Sequence, residues 1–264
     1  MASAHQRKRV LLLNPNSSSV MTQAMVLAAN ATPVSHSLQI DTYTAPAPAA
    51  PASINDDTDI RASTDAVLSH LYGEQNHQLE TTSVDRYDAV LVACFSVHSL
   101  VAQLSARHPG LAVTGIFEAS VLTALSLVSG SVGEGKWGIV TTGHFWEGQL
   151  ADGVGRLLGR DCAGEDRRFC GVFSTGLTAA DFHTLSPDEV QGKLRAATVR
   201  LLAAGDVACV VMGCGGMAGL EDTIRSAARD AYGTQRAGSL YVVDAVKAGI
   251  LQLRQVMDSR ETFR

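Results

Sequence analysis

The stretch "VVMGCGGMAGL" (210–220) ends an apolar run in the tetrapeptide GCGG (213–216). A structural cysteine usually lies inside such a run, as Cys209 does. Cys214 instead lies where the backbone turns, and the flanking glycines allow that backbone unusual torsion angles. The stretch therefore predicts a buried β-strand that is followed at once by a loop presenting a thiol.

Short apolar runs of the same kind recur along the chain, each ending in a small or polar residue. They are continuous and rich in β-branched residues, as buried parallel strands are. Helical patterns lie between them, and one of these has Ser186 as N-cap, Pro187 in its first turn and Gly205 as its stop. The alternation predicts an α/β fold with parallel sheets and right-handed crossovers. The runs cover residues 9–18, 38–44, 87–96, 111–125, 136–145, 169–176, 206–216 and 240–253.

The two halves of the chain place similar landmarks in the same order. We therefore expect two pseudosymmetric lobes, each with a parallel four-stranded sheet flanked by helices. Since ligands of open α/β sheets bind at the carboxyl ends of strands, the active site is expected in the cleft between the lobes. The predicted division is 9–116 plus 218–264 for one lobe and 117–217 for the other. The aligned landmark pairs are Asn14 with Thr141, Cys94 with Cys214, and Glu118 with Asp244.

A pair of thiols facing one pocket suggests racemisation. Inverting a carbon centre requires one group to remove a proton from one face and another to deliver a proton to the opposite face. Cys94 and Cys214 both precede helical segments, so we expect the helix dipoles to lower both thiol pKa values towards neutrality, where acid–base catalysis is efficient. Backbone N–H groups of "CFSVHS" and "GCGGMAG" are candidates for holding a carbonyl oxygen that gains enolate charge.

Composition and missing motifs exclude several other functions. The net charge of −5 argues against nucleic-acid binding. No apolar stretch is long enough to span a membrane and no signal-peptide pattern opens the chain, so a cytoplasmic location is expected. The odd number of cysteines, five, without a secretion signal favours reduced thiols. The sequence contains no CxxC pair or His-rich cluster, so no structural metal site is expected. No pyridoxal-type lysine, dinucleotide fingerprint or Walker motif is present, and no cofactor is expected.

Several motifs together resemble the Asp/Glu/hydantoin racemase superfamily, and within it the hydantoin and allantoin racemases. The resemblance covers almost the whole chain and implies a two-lobed α/β fold, a two-cysteine mechanism without cofactor, and a homo-oligomer. It implies that Cys94 and Cys214 are the catalytic thiols. The motifs are "LLLNPNSSSVMT" (11–22), "VLVACFS" (90–96), "GIVTT" (138–142), "VMGCGGMAGL" (211–220) and "VVDAVKAG" (242–249).

The candidate substrate-binding residues follow from the resemblance and from the predicted strand ends. They are Asn14, Ser17, Ser96, Val97, His98, Thr141, Thr142, Gly215 and Gly216. The segment after Cys94 departs from the family pattern, because hydantoin racemases usually continue there with an Asp-Pro-Gly type turn. This departure leaves the substrate open.

Other residues have simpler structural interpretations. His98 and His144 are either cleft residues or helix-surface histidines. Glu118 and Asp244 fit first-turn acids or N-caps. Trp137, Trp146 and Cys209 fit packing positions, and no role is assigned to Cys162 or Cys170. The Ala/Pro-rich segment 44–57 is either a surface loop or a rigid loop over the cleft.

The resulting hypothesis is a racemase of small cyclic ureides, either 5-substituted hydantoins or allantoin. One alternative is a maleate-type cis–trans isomerase with a nucleophilic cysteine. Another is a non-catalytic protein that binds a metabolite in the same cleft. In each case the expected partner is a small molecule, with neither nucleic acid nor membrane involved.

Overall fold

The computed structural model describes residues 7–73, 83–129, 135–159 and 168–264. Strands and helices alternate through these ranges, which confirms the predicted α/β class. The strands are β1 Lys8–Asn14, β2 Leu38–Thr44, β3 Ala89–Val92, β4 Ala112–Gly115, β5 Lys136–Thr141, β6 Phe169–Ser174, β7 Val207–Gly213 and β8 Tyr241–Asp244. The helices are α1 Ser19–Asn30, α2 Asp57–Tyr72, α3 Ser99–Arg107, α4 Ile116–Val128, α5 Phe145–Leu157, α6 Asp181–Thr184, α7 Pro187–Ala203, α8 Glu221–Tyr232, α9 Thr234–Ala237 and α10 Ala245–Thr262. Cys162 lies outside the described residues.

The strands form two parallel four-stranded sheets with the same order in each half. The first sheet has the order β2-β1-β3-β4 and the second the order β6-β5-β7-β8. The central strands are covered on both faces, so every residue of β3 is buried. This is why these strands appear in the sequence as unbroken apolar runs.

The helix that links β6 to β7 shows how local signals set an element. Ser186 accepts a hydrogen bond from the N–H of Glu189 at 3.3 Å and Pro187 occupies the first turn, as the sequence predicts. The helix ends at Ala203, two residues before the predicted stop at Gly205. Its inner face, including Leu194 and Leu201, packs on the second sheet.

The two halves exchange one helix each. Helix α4, which follows the first sheet, packs on β7 and β8, whereas α10, which follows the second sheet, packs on β3 and β4. Strand β8 pairs with β7 in the register Met212 to Asp244. Of residues 218–264, which the sequence assigns to the first lobe, β8 therefore belongs to the second sheet and only α10 packs on the first. The two exchanged helices also contact each other and join one core that spans both sheets.

Two of the three predicted landmark pairs occupy equivalent positions in the two halves. Asn14 and Thr141 end the matching strands β1 and β5, and the two cysteines follow β3 and β7. Asp244 ends β8, so its counterpart is Gly115 at the end of β4. The alignment of Glu118 with Asp244 is therefore wrong by three residues, because both are acids near a helix start but occupy different cap positions.

No helix among the described residues combines the length and the apolarity that crossing a lipid bilayer requires.

Candidate active site

A pocket lies where the carboxyl ends of the two sheets meet, and both predicted catalytic thiols line it. The space between its walls is about 430 Å³, including the part open to solvent. Residues from both halves form the walls. They are Asn16, Met21, Met25, Ile54, Ala93, Cys94, Phe95, Thr142, Trp146, Ala179, Gly213, Cys214, Gly215 and Gly216.

Cys94 lies two residues beyond the end of β3. The N–H of Ala93 donates to Leu13 O at 2.8 Å, which extends the strand pairing up to the thiol. The hydroxyl of Ser96 donates to Cys94 Sγ at 3.4 Å. Burial raises the pKa of the Cys94 thiol to about 12; the Ser96 hydrogen bond opposes this, whereas charge on Cys214 or on Glu118 adds to it.

Cys214 directly follows β7 and caps the 3₁₀ turn Gly215–Met217. The backbone N–H of Gly216 donates to Cys214 Sγ at 3.3 Å. Burial raises the pKa of this thiol to about 11, while hydrogen bonds from the N–H groups of Gly216 and Met217 lower it. The two thiols thus differ in their donors, which are a side-chain hydroxyl for one and backbone amides for the other.

The expectation that helix dipoles lower both thiol pKa values is wrong, because burial raises them both. Cys94 is separated by four residues from the start of α3, and Cys214 caps only a single 3₁₀ turn. Neither position offers a strong dipole, because the dipole effect falls off within the first turn of a helix. Desolvation is therefore the larger influence, and both groups are thiols at neutral pH.

The glycines around Cys214 permit close approach of neighbouring groups. Their φ angles are not positive, so unusual torsion angles are not their role. A Cβ at Gly213 would lie 2.9 Å from Val140 O, and one at Gly215 would lie 2.7 Å from Met25 Sδ. The chain needs glycine here because the thiol loop packs against backbone and side chains on several sides.

The Asn-Pro-Asn turn after β1 contributes a residue that the sequence analysis did not select. Asn14 is fully buried, and its Nδ2 donates to Asn16 Oδ1 at 2.9 Å and to Thr22 Oγ1 at 3.0 Å. It thereby orients Asn16, which lines the pocket. The N–H of Ser17 donates to Pro51 O at 2.9 Å. Asn14 and Ser17 therefore support the turn, and Asn16 is the residue of this motif that a ligand would meet.

The corresponding turn after β5 places one of its two threonines in the pocket. Thr142, a candidate substrate-binding residue, lies in the pocket wall. Thr141 is buried, and its Oγ1 donates to Gly213 O at 2.9 Å, which fixes the strand end just before Cys214. Thr141 thus acts on the site through the backbone and lies outside the pocket wall.

Phe95 lines the pocket, whereas the candidate residues Ser96, Val97 and His98 lie outside the pocket wall. Ser96 acts through its hydrogen bond to the thiol, and Val97 packs towards α5, where a Cβ at Gly153 would lie 2.7 Å from Val97 Cγ2. His98 is 2% exposed and caps α3: its Nδ1 accepts from the N–H of Leu100 at 3.3 Å, and its Nε2 lies 3.1 Å from Ser63 Oγ. Burial lowers the pKa of His98 to about 4, so it is a neutral structural group.

The sequence analysis assigned one residue of the apolar wall, Trp146, to packing. Trp146 is 4% exposed and packs in the core, yet one side of it faces the pocket. Ile54, in the segment 44–57, lines the pocket, so part of this segment borders the cleft. Trp137 is a core residue, as predicted, and His144 is exposed, with its Nδ1 2.8 Å from Ser174 Oγ.

The two acids near the helix starts take different roles. Asp244 caps α10 by accepting from the N–H of Lys247 at 2.8 Å. Glu118 lies in the first turn of α4 with its Oε2 buried and without a hydrogen-bond partner in the described part of the chain. Burial raises the pKa of Glu118 to about 7, and its proximity to Cys94 links it to the first thiol.

Residues 10–253 match the family model of the Asp/Glu/hydantoin racemases. The chain belongs to the Asp/Glu/hydantoin racemase family. This membership supports a racemase function and implies a small-molecule substrate. An uncharacterized protein of Schizosaccharomyces pombe is 30% identical over 246 residues, which cover 92% of this chain and 89% of the relative.

Two solved structures share the fold of this racemase-family chain. The allantoin racemase from Klebsiella pneumoniae has a TM-score of 0.68 and 22% sequence identity, covering 95% of this chain and 88% of that protein. The allantoin racemase from Pseudomonas fluorescens has a TM-score of 0.66 and 21% identity, covering 95% and 91%. The high coverage shows that the two-sheet fold is shared over almost the whole chain.

The described part of the chain places no charged side chain in the pocket wall, and it contains no cluster that could bind a metal ion. None of the described wall residues is an acid, a histidine, a lysine or an arginine. No group of three or more His, Cys, Asp or Glu side chains in residues 7–73, 83–129, 135–159 and 168–264 could hold a metal ion. The site offers two thiols, a few neutral hydrogen-bonding groups and a mainly apolar surface.

Proposed function

We propose that this protein racemises small cyclic ureides, 5-substituted hydantoins or allantoin, through proton transfer by Cys94 and Cys214. The observation that carries the proposal is the shared pocket, with one thiol supplied by each sheet. A flat five-membered ring between two sulfur atoms would present one face to each. That arrangement suits inversion at a single carbon.

The proposed reaction moves one proton off the ring and another onto it. In one direction the Cys214 thiolate forms a bond to the C5 proton, and the C5–H electron pair moves into the ring as an enolate at the C4 oxygen. The Cys94 thiol then donates its proton to the opposite face of C5, which leaves Cys94 as the thiolate. The reverse reaction exchanges the two roles. The high thiol pKa values make each thiolate a strong base once it is formed.

The neutral wall favours a ureide over a charged amino acid or a dicarboxylate. A buried carboxylate without a positive partner is unfavourable, and the described wall residues provide none. A hydantoin ring is uncharged and presents carbonyl and N–H groups that suit Asn16, Thr142 and the backbone of Gly215. The same argument weighs against the maleate-type alternative. The fold shared with two allantoin racemases supports the ureide class.

The proposal includes a cofactor-independent reaction, a cytoplasmic location and a homo-oligomeric assembly. It has no role for nucleic acid or membrane. The substituent at C5 is the least constrained part of the proposal. The apolar wall formed by Met25, Ile54 and Trp146 suits an apolar substituent, whereas allantoin would direct a ureido group to Asn16 and Thr142.

The test is racemisation and hydrogen exchange at C5. Each enantiomer of allantoin and of 5-isopropylhydantoin is incubated in D₂O, and loss of optical rotation and of the C5 proton signal is followed. We expect both with the wild type, and a decrease of at least about 100-fold in Cys94→Ala and in Cys214→Ala. Cys170→Ser is the matched control, because this thiol lies outside the pocket wall.

Three results would contradict the proposal. The first is full racemisation by both single-thiol variants, since the reaction needs two opposed groups. The second is a covalent adduct with maleate, which would favour the isomerase alternative. The third is ligand-dependent thermal stabilisation without turnover of either ureide, which would favour a binding protein. Melting curves of the variants exclude unfolding as the cause of any lost activity.

A further inference from the structure

We propose that Ile54 and Ala179 determine which enantiomer of the substrate binds more tightly, because they line opposite sides of the pocket and differ in size. Both residues belong to the pocket wall. They lie in corresponding segments of the two halves, Ile54 between β2 and α2 and Ala179 between β6 and α6. The inference rests on the proposed function, since it concerns the substituent at C5 of the ring.

The contacts of its segment place Ile54 on the Cys94 side of the pocket. The segment continues into α2, where Asp57 accepts a hydrogen bond from Gln149 Nε2 of α5 at 3.0 Å. Val97, three residues after Cys94, packs on the next turn of the same helix α5. Helix α2 also contacts α3, which follows the Cys94 loop. The segment of Ile54 and the loop of the first thiol are therefore neighbours.

Ala179 lies on the Cys214 side. A Cβ built on Gly216 would lie 3.1 Å from Ala179 O and 3.5 Å from Cys214 Sγ, so both border the same glycine. Helix α6, which begins two residues after Ala179, packs against the turn Gly215–Met217. The side of the second thiol is thus lined by a single methyl group where the side of the first is lined by a four-carbon side chain.

The chain holds Ile54 firmly in this position. On one side of it, the N–H of Ser17 donates to Pro51 O at 2.9 Å. On the other side, the N–H of Asn55 donates to Asp59 Oδ2 at 2.8 Å. Ile54 itself is buried and belongs to the core that spans both sheets. A substrate therefore meets Ile54 as a fixed wall, because moving it would break these hydrogen bonds and expose its side chain.

The stereochemistry of C5 connects this difference in size to the two enantiomers. The hydrogen and the substituent of C5 point to opposite faces of the ring. The enantiomer that gives its proton to Cys214 directs its substituent to the Cys94 face, where Ile54 lies. The other enantiomer directs its substituent to the Cys214 face, where Ala179 leaves more room. A large substituent therefore favours binding of the second enantiomer, because crowding in a packed apolar site is unfavourable.

A thermodynamic constraint determines how this preference appears in the kinetics. The two enantiomers have equal free energy in water, so kcat/KM must be the same for both, in the wild type and in every variant. A steric preference is then visible as a ratio of KM values that is matched by an equal ratio of kcat values. The enantiomer that binds more tightly is turned over more slowly by the same factor.

The experiment measures KM and kcat for each enantiomer of 5-isopropylhydantoin and of 5-methylhydantoin by polarimetry. For the wild type we expect the two KM values to differ about tenfold with isopropyl and by less than about twofold with methyl. Ile54→Ala should lower the larger isopropyl KM, and Ala179→Ile should raise the smaller one. The double variant should reverse the preference. Ile60→Ala is the matched control in α2, outside the pocket wall, and should leave the ratio unchanged.

Equal KM values for the two isopropyl enantiomers in the wild type would overturn the inference while leaving the proposed function intact. A ratio that neither Ile54→Ala nor Ala179→Ile alters would do the same. If Ile54→Ala does not fold, Ala179→Ile still decides, since Ala179 is only partly buried. If no hydantoin is racemised, the proposed function fails. The resolved enantiomers then do not interconvert, and calorimetric Kd values replace KM in the same comparison.

Discussion

The two thiols occupy matching places in matching sheets, yet their surroundings differ. Cys94 follows Ala93 and accepts a hydrogen bond from a side-chain hydroxyl, whereas Cys214 follows Gly213 and accepts one from a backbone amide. The fold repeat therefore sets where the sulfur atoms are, while the loops decide how easily each loses its proton. A racemase needs equal access to both faces of a ring, but it starts each cycle from one thiolate and one thiol.

The largest expected effect is on the pH dependence of folding stability, and it comes from the segment after Cys94. His98 caps α3 there, and the corresponding position in the second half is Ala218. Because burial lowers the pKa of His98 to about 4, the unfolded chain takes up a proton near pH 6.5 before the folded chain does. Above about pH 6.5 His98 makes its full contribution to the free energy of unfolding. This contribution, up to about 3 kcal/mol, is lost as the pH falls towards 4.

Urea unfolding of the wild type and of His98→Asn at neutral and acid pH measures this difference. Asparagine is a good N-cap but does not titrate, so the variant should lose less stability on acidification. Its KM for a ureide should stay unchanged, because His98 lies outside the pocket wall. A raised KM with unaltered pH dependence of stability would instead indicate that His98 contacts the substrate.

The second expected effect is a loss of stability and activity when Gly213, which precedes Cys214, is replaced. In Gly213→Ala the new Cβ would lie 2.7 Å from Ile139 Cγ2 and 2.9 Å from Val140 O, so backbone must shift. We expect a loss of about 1–3 kcal/mol in the free energy of unfolding, together with a large loss of activity. Gly192→Ala is the control: its Cβ meets nothing within 4 Å in an exposed part of α7, and it should stabilise the protein by about 0.5–1 kcal/mol. Equal melting temperatures for both variants would contradict the close packing around Gly213.

Sequence patterns are sufficient to predict the repeat and the thiols but not the walls between them. Buried parallel strands have an unmistakable apolar pattern, and a cysteine after such a strand lies at a ligand-binding edge. An apolar residue on a helix, such as Met25 or Trp146, has the same pattern whether it faces core or pocket. Asn16 was within the Asn-Pro-Asn motif, but which of the two asparagines points inward depends on the turn geometry.

Two other features depend on packing between distant parts of the chain. The sequences of α4 and α10 do not indicate that the two helices are exchanged between the sheets. Each helix has an apolar face whichever sheet it covers. The raised pKa values of Cys94 and Cys214 follow from desolvation by both halves together. The sequence suggested that helix dipoles stabilise the thiolates, because each cysteine precedes a helical segment. How far a strand end is buried depends on the position of the other sheet, which the local sequence does not show.

A smaller effect is expected from the hydroxyl donor of the first thiol. In Ser96→Ala the hydrogen bond that lowers the Cys94 pKa is removed, so that pKa rises further. We expect iodoacetamide to react with Cys94 several-fold and at most about tenfold more slowly, with the Cys214 rate unchanged. Ser99→Ala is the matched control, because that hydroxyl lies 2.8 Å from Thr64 Oγ1 and not on the thiol. A parallel decrease at Cys214 would show that the two thiols share one donor network.

The smallest expected effect on thiol reactivity comes from Glu118, which raises the pKa of Cys94 but not that of Cys214. Its folded-state pKa is raised to about 7, so the folded chain keeps a proton that the unfolded chain releases near pH 4.5. Wild-type stability should therefore decrease as the pH rises from about 4.5 to 7, by up to about 3 kcal/mol. Glu118→Gln should lack this decrease.

Above about pH 7 the same variant should speed alkylation of Cys94 by about twofold, because a carboxylate that raises the Cys94 pKa is gone. Cys214 should react at its wild-type rate, since Glu118 is not among the groups that shift its pKa. Glu221→Gln, whose carboxylate pairs with Lys247 away from the pocket wall, controls for loss of one negative charge. Acceleration of Cys214 instead of Cys94 would contradict the placement of Glu118 beside the first thiol.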